Sequence, residues 1–336
     1  MIPVSGQPKR LRNNWGSWVR IPSDSRRWAT FPSCPPSIIL SKFSFSGYLM
    51  DIIRPVLNEP ALILEQSPSK RYVMIADLHL AIEHMLIEKG VQIPLQTQTN
   101  RLINKLMRIV KSVKPTGLII LGDIKHNIPM ISHLEWQIIP TFFGKFSNMP
   151  IHVLVGNHES IPQMEGLTTR NVIIHPAQGC LISLGKNNEY TKVGLFHGHT
   201  WPGRELFNAD VLIMAHNHPV IEFKDELNIR TYEPVWIRAH WNKSNLINAY
   251  LKYYKIKKVK NPLEILRNKF QMDINDDSEI IIMPAFNDLL GGIPFNVRES
   301  RFIGPLLKSN SINIEEAEAI LLDGTLLGKI KEIQVE

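Results

Sequence analysis

From Met50 onward the chain alternates short, continuously apolar runs with stretches whose apolar residues recur at helical spacing. Tyr72–Ala76, Gly117–Leu121, Ile151–Val155, Val193–Phe196 and Val211–Ala215 are brief and almost unbroken, the pattern of strands covered on both faces. Between the first two, Leu102, Ile103, Leu106, Ile109, Val110 and Val113 mark one face of a helix that Lys114-Pro115 should end. Ser132 followed by Glu135 is a capping box, which opens a second helix with Leu134, Ile138 and Ile139 on its apolar side. Pro140 is expected to kink or end that helix. Beyond Ile173 strand-like pieces dominate: Cys180–Leu184, Thr231–Ile237, Ile280–Met283 and Ala319–Leu322. The pattern predicts an α/β first half and an α+β second half, two packed sheets flanked by helices. Residues 270–336 should add strands to the second sheet.

Composition narrows the class. The 336 residues are 44% hydrophobic and 21% charged, ordinary for a globular protein. No apolar run approaches the roughly 18 residues of a membrane span. Two cysteines, Cys34 and Cys180, exclude a disulfide scaffold or a cysteine zinc site, and Cys180 at the head of an apolar run reads as an inert buried thiol. The net charge of +7 is misleading, because residues 1–49 carry seven basic residues against one acid and the rest of the chain is only +1. That leader, rich in Ser, Pro, Arg and Trp and without period, reads as a disordered or mis-assigned extension, with a transit peptide as the alternative. Residues 50–336 form the domain. Lys252–Lys260 reads as a solvated surface helix or insertion, and Tyr253 and Tyr254 among its lysines also fit a nucleic-acid face.

Chemistry appears where the apolar runs stop. They lead into Asp77-Leu78-His79, Gly122-Asp123-Ile124-Lys125-His126, Gly156-Asn157-His158-Glu159, His197-Gly198-His199 and His216-Asn217-His218. Seven of the twelve histidines lie in these five segments. Carboxyl ends of strands in open α/β sheets are where sites assemble. Imidazole, carboxylate and amide oxygen without thiolate suit Mn, Fe, Co or Zn rather than Ca. The candidates are too many for one ion, and a carboxylate such as Asp123 can bridge two. The Asp77/His79 and His216/His218 spacing fits extended backbone, in which alternate side chains share a face. His84, His133, His152, His175 and His240 read as surface or core residues, with His152 pointing to a covering helix. Asn287-Asp288 and Gly291-Gly292 read as a turn, in a polar, glycine-rich loop that could also reach the site.

These five blocks, in this order, resemble the calcineurin-like metallophosphoesterases. Within that superfamily the chain is similar to archaeal phosphoesterases related to the nuclease subunit SbcD, and to bacterial ligase-associated endonucleases. Ala76–Leu80, His216–Val220, Pro234–Trp236, Pro284–Gly292 and Leu321–Gly328 carry the likeness further. The resemblance implies a four-layer αββα sandwich of two mixed sheets. It also implies one metal held by Asp77, His79, bridging Asp123 and His218, and a second by Asp123, Asn157, His197 and His216. Which of His197 and His199 is the ligand stays open, with His197 preferred as the residue directly after the strand. His158 would be the general acid, His126 would help handle a phosphodiester, and Glu159 would orient its neighbours. One departure is Ala215, where the family has glycine and a methyl group could crowd the loop.

The expected activity is a dinuclear-metal phosphohydrolase, a phosphodiesterase or nuclease acting on nucleic acid or nucleotides through a metal-bound hydroxide. Manganese is the first choice of metal, with iron, cobalt or zinc as others. The alternatives are a phosphomonoesterase and a non-catalytic scaffold of the same fold. A cytoplasmic protein without membrane contact is expected, with a homodimer left open.

Overall fold

The computed structural model describes residues 10–12, 18–20 and 52–335, apart from 68, 93, 95, 96, 187, 188, 258 and 259. The chain divides into units Met1–Leu40 and Ser41–Glu336. In the first, β1 (Arg10–Arg12) pairs antiparallel with β2 (Trp18–Arg20); the expectation of an extension without fold over 1–49 otherwise lies outside the described residues.

Two mixed sheets form the centre of the second unit. The first runs in the order β3 (Ile53–Pro55), β4 (Leu62–Ser67), β5 (Lys70–Ala76), β6 (Gly117–Leu121), β7 (Ile151–Leu154) and β8 (Val172–His175), parallel from β5 onward. The second contains β9 (Cys180–Lys186), β10 (Glu189–Leu195), β11 (Val211–Met214), β12 (Pro219–Lys224), β13 (Arg230–Ala239), β14 (Glu279–Ile282), β15 (Ile293–Pro294), β16 (Glu318–Leu321) and β17 (Leu326–Lys329). Strands β10, β11 and β14 pair in parallel, whereas β13 is antiparallel to β12, β14 and β16. Residues beyond 270 thus supply β14 to β17 of the second sheet.

Three apolar layers hold four structural ones together. Met74, Leu121 and Leu154 of the first sheet meet Leu195, Ile213, Trp236 and Ile281 of the second. The other face of the first sheet is covered by helices α2 (Thr97–Val113), α3 (His133–Lys145) and α4 (Ile161–Leu167), which contribute Leu106, Phe142, Phe143 and Met164 to the core, and α1 (Ile82–Glu88) lies beside α2. The outer face of the second sheet takes α5 (Lys243–Tyr253) and α6 (Pro262–Phe270), through Leu246, Ile247, Tyr250, Leu251 and Leu266. The order is helix, sheet, sheet, helix, the αββα sandwich. A fully buried Leu, Ile or Phe contributes roughly 1.5–3 kcal/mol, so burial on both faces of each sheet dominates the fold's stability.

Local chemistry sets most boundaries. Lys114 takes φ +51° after α2 and its N–H closes on the Val110 carbonyl at 2.8 Å, a left-handed helix stop just before Pro115. Ser132 and Glu135 form the reciprocal capping box of α3. Two expectations need correction. Pro140 does not end α3, which continues to Lys145. The buried Ile138, Ile139, Phe142 and Phe143 anchor the turns on either side and outweigh its missing hydrogen bond. His152 points away from the helices, because Ile151 and Val153 take that face. Its ring meets the edge of Tyr72, and its Nδ1 lies 2.9 Å from His175 Nε2. Helices α5 and α6, where strands were expected to dominate, are a third difference.

Candidate metal centre

All five chemical segments leave the carboxyl ends of β5, β6, β7, β10 and β11 and converge at one edge of the two sheets. The β5–β6 ladder continues into the loops: the His79 N–H donates to the Asp123 carbonyl at 2.8 Å and Leu80 N–H to the Ile124 carbonyl at 2.7 Å. From the second sheet, the chain after β14 crosses back, with Phe286 N–H donating to the Ala76 carbonyl at 2.9 Å. The two sheets are therefore stitched together under the site.

The backbone here is not extended, as the two-residue spacing suggested. Asp77, His79, Asp123, His216 and His218 have φ of +54°, +41°, +52°, +74° and +43°. Asp and His tolerate this left-handed region better than most residues, yet each costs on the order of 1 kcal/mol or more. Left-handed turns, rather than the two-residue alternation of a strand, therefore bring Asp77 and His79, and likewise His216 and His218, to the centre. Gly156 allows the closest approach, since a Cβ there would lie 2.1 Å from Asp123 Oδ1. Gly156→Ala is expected to cost about 1–3 kcal/mol of stability by displacing the carboxylate, measured as a lowered midpoint in chemical denaturation. An unchanged midpoint would show that the loop yields freely.

Asp123 stands at the centre. Its Oδ2 lies 3.4 Å from His79 Nε2, 3.3 Å from His197 Nε2 and 3.7 Å from His158 Nε2, and its Oδ1 accepts from the His158 N–H at 3.1 Å. Asp77 Oδ1 lies 3.3 Å from His218 Nε2 and 3.8 Å from His197 Nδ1. Ligand atoms of Asp77, His79 and His218 all fall within 4.8 Å of one another, and so do those of Asp123, His197 and His216. A third group, His79, His126 and His158, overlaps the first through His79. Among the described residues His197, rather than His199, joins Asp123 and His216; the His199 ring sits behind, 5.4 Å from that of His197. Asn157 shares the loop of Gly156 and His158, and its exposed amide makes no hydrogen bond among the described residues.

The donor set fits divalent cations. Asp77 Oδ1 and the Nε2 atoms of His79, His197 and His218 are buried and lack hydrogen-bond partners. Buried polar atoms rarely go unsatisfied, and these converge. The opposite ring nitrogens are anchored: His197 Nδ1 to the Leu121 carbonyl at 2.8 Å, and His218 Nδ1 to the Gly291 carbonyl at 3.2 Å. Such outer contacts fix which nitrogen faces a metal. His79 Nδ1 meets His126 Nδ1 at 3.3 Å.

Electrostatics agree. At His197, burial opposes the charge, but Asp123 and Asp77 outweigh it and raise the imidazole to about 10. His218 is raised by Asp77 against the same opposition. Burial, then His197, lowers His216 to about 3. Asp123 is held well below its ordinary value because His197 and His79 overcome its burial. The protein thus holds protons where cations would sit. Loading a divalent cation is expected to displace the His197 proton, so affinity should rise with pH between the ordinary histidine value and about 10. Calorimetry in buffers of different ionisation enthalpy should detect about one proton released per cation at that ligand; uptake without release would contradict this.

Of the residues that tie these loops together, Glu135 was legible only as a helix cap. Glu135 Oε1 accepts from the His126 and Asn127 N–H groups at 2.9 Å, so the capping carboxylate also holds the His126 loop. Buried Glu159 Oε1 accepts from Ile124 and Gly156, tying two ligand loops together, and burial raises its carboxyl to about 8. Asn287, in the turn that could reach the site, is buried and donates to the Leu78 carbonyl at 2.8 Å. Lys125 is fully buried with its ammonium on the carbonyls of Asn127 and Met130. Ala215 is buried in the apolar layer between the sheets. Cys180 is half-buried, and burial pushes its thiol up to about 11, as an inert thiol requires.

The family model described as calcineurin-like phosphoesterase matches residues 70–267, well over half the chain. The chain belongs to the calcineurin-like phosphoesterases. It is accordingly a metal-dependent phosphoesterase, and the convergent Asp and His groups are this family's kind of centre. No curated protein matches the sequence significantly. Among solved structures, the nuclease MPE of Pseudomonas putida is similar at 13% identity and TM-score 0.43, over 81% of this chain and 97% of that one. The phosphoesterase Yfce of E. coli is similar at 16% identity and TM-score 0.29, over 48% of this chain and 76% of that one. Among the described residues no helix of this phosphoesterase is long and apolar enough to cross a membrane.

Proposed function

We propose that this phosphoesterase hydrolyses phosphodiesters of nucleic acid or nucleotides at a pair of divalent cations. The observation that carries the reading is the position of Asp123 between two sets of ligand atoms, with four buried atoms around it and Asp77 lacking partners. Asp77, His79, Asp123 and His218 would hold one cation; Asp123, Asn157, His197 and His216 would hold the other. Bound there, the pair supplies Lewis-acid stabilisation of the phosphate and activates the attacking water. Manganese, iron, cobalt and zinc all suit these donors, manganese being our first choice.

His158 serves as general acid. Its Nδ1 is tied to the His126 carbonyl, which leaves Nε2 facing the centre 3.7 Å from Asp123 Oδ2. Burial holds the imidazole below its ordinary value, opposed by Asp123. An anionic phosphate arriving at Nε2 adds negative charge and favours the protonated ring, so substrate itself loads the acid. His126, beside His79 and His158, is lowered to about 4 by burial and by those neighbours and would donate to the substrate as a neutral imidazole. A cavity of about 370 Å³ lined by His218, Lys105, Val220 and Asp288 gives room beside the centre for the organic arm of a diester.

The test compares bis-p-nitrophenyl phosphate, p-nitrophenyl phosphate and labelled oligonucleotides, with each of the four metals added to metal-stripped protein. Diester turnover above monoester turnover, with about two equivalents of metal bound, is expected. Monoester preference would make this a phosphomonoesterase, and bound metal without any turnover would make it a scaffold. A substrate-free homodimer can be read in the same preparation by light scattering.

A further inference from the structure

Within residues 50–336 positive charge is concentrated in one stretch. Residues 243–273 hold eight lysines and arginines against Glu264 and Asp273, whereas residues 50–336 as a whole are only +1. The rest of that domain is therefore net acidic, and α5, α6 and their connection stand out as its basic face. Two of these cations are spent on exposed ion pairs, Lys243 with Asp276 and Arg267 with Asp273. Lys252, Lys255, Lys257 and Lys260 are exposed and form no ion pair among the described residues.

Aromatic rings stand among those lysines. Tyr253 is 58% and Tyr254 47% exposed, large for side chains with an apolar body. Tyr253 packs against Trp201 with ring centres 5.8 Å apart, and Tyr254 against Tyr253 at 5.0 Å. Thr200, Trp201, Arg204, Tyr253, Tyr254 and Lys269 line a cleft of about 310 Å³. Its Trp201 wall is continuous with the metal centre: the segment runs His197, Gly198, His199, Thr200, Trp201. Four peptide steps of 3.8 Å keep Trp201 within about 15 Å of His197 along the chain.

We propose that this cleft and the α5–α6 face form a single-stranded nucleic-acid track that feeds the metal centre. The inference rests on the phosphodiesterase reading and names its substrate class. Unpaired lysines follow a phosphate backbone, and exposed rings beside them stack unpaired bases without sequence preference. An acidic peptide would use the lysines but leave the rings idle. Duplex DNA would hide the base faces that the rings need.

The experiment is fluorescence anisotropy of a fluorescein-labelled twenty-nucleotide oligothymidylate with full-length protein in EDTA, so that nothing is hydrolysed. The wild type should bind with a log–log salt slope near about −3, from four lysines at roughly −0.7 each. Lys255→Glu/Lys257→Glu/Lys260→Glu should flatten that slope and weaken binding at least about tenfold. Tyr253→Ala/Tyr254→Ala should weaken it about 5- to 150-fold with the slope retained, the range of one stacked base. Both variants should keep the wild-type turnover of bis-p-nitrophenyl phosphate and the same unfolding midpoint, which separates lost binding from lost folding. Wild-type protein that fails to bind the oligomer, binds it equally after both sets of changes, or prefers phosphatidylserine vesicles overturns the proposal. Oligomer binding without turnover of any phosphoester would instead sink the phosphodiesterase reading and leave the track standing.

Discussion

Asp123→Asn is expected to lower phosphodiester turnover by at least about 10³-fold, the several kcal/mol that metal stabilisation of the transition state supplies. The asparagine keeps the size of the side chain and an oxygen to accept the His158 N–H, now at 3.1 Å. What it removes is the negative charge that faces His79 and His197 at once. Metal content should fall below two equivalents in the same preparation, because a neutral amide cannot serve two cations as the carboxylate does. Loss of that charge also removes the larger of the two carboxylate influences that raise His197, so the variant should release less proton on taking up metal. Atomic absorption and steady-state kinetics on one sample decide it. Two bound equivalents with wild-type kcat/KM would rule out a bridging Asp123.

For His158→Ala the expected loss depends on the leaving group. A general acid contributes about 10²–10⁴-fold where the departing oxygen needs a proton. Dinucleotides and oligonucleotides, which leave as alkoxides, should show that full loss. Bis-p-nitrophenyl phosphate, whose phenolate leaves readily without protonation, should lose much less. Metal content should stay unchanged, because Nε2 of His158 lies 3.7 Å from Asp123 and its Nδ1 is engaged by the His126 carbonyl. Equal losses on both substrate types would assign His158 to phosphate positioning rather than proton delivery. The contrast with Asp123→Asn is the useful part: one variant loses metal and all turnover, the other keeps metal and loses only difficult leaving groups.

The five chemical segments were readable because each directly follows a strand. A run as short and continuously apolar as Gly117–Leu121 reads as a covered strand, which puts the polar residues after it at a sheet edge. The helix stop at Lys114-Pro115 and the capping box at Ser132 were equally local, and both appear as expected. Failures came where a local rule met the core. Pro140 was expected to kink or end α3, and the helix does not end there, because Phe142 and Phe143 hold the following turn in place. His152 followed its strand's alternation, and no local signal says which face of a doubly covered strand is which. In α5 the helical spacing of Leu246, Ile247, Tyr250 and Leu251 spans under two turns before lysines and tyrosines take over, too short a period to mark a helix locally.

The linear order of residues determined the ingredients: strands of known length, each ending in aspartate, asparagine or histidine, and a family likeness strong enough to suggest their use. Folding decided which atoms meet. Left-handed backbone at Asp77, His79, Asp123, His216 and His218 turns their side chains inward, a conformation the alternating pattern does not encode. Contacts between residues more than a hundred positions apart, such as Asp77 with His218 and Asn287 with Leu78, exist only once the two sheets close on one another. Carriers of charge and hydrogen bonds are written in sequence one residue at a time, whereas the distance between two of them is a property of the packed core that separates their strands.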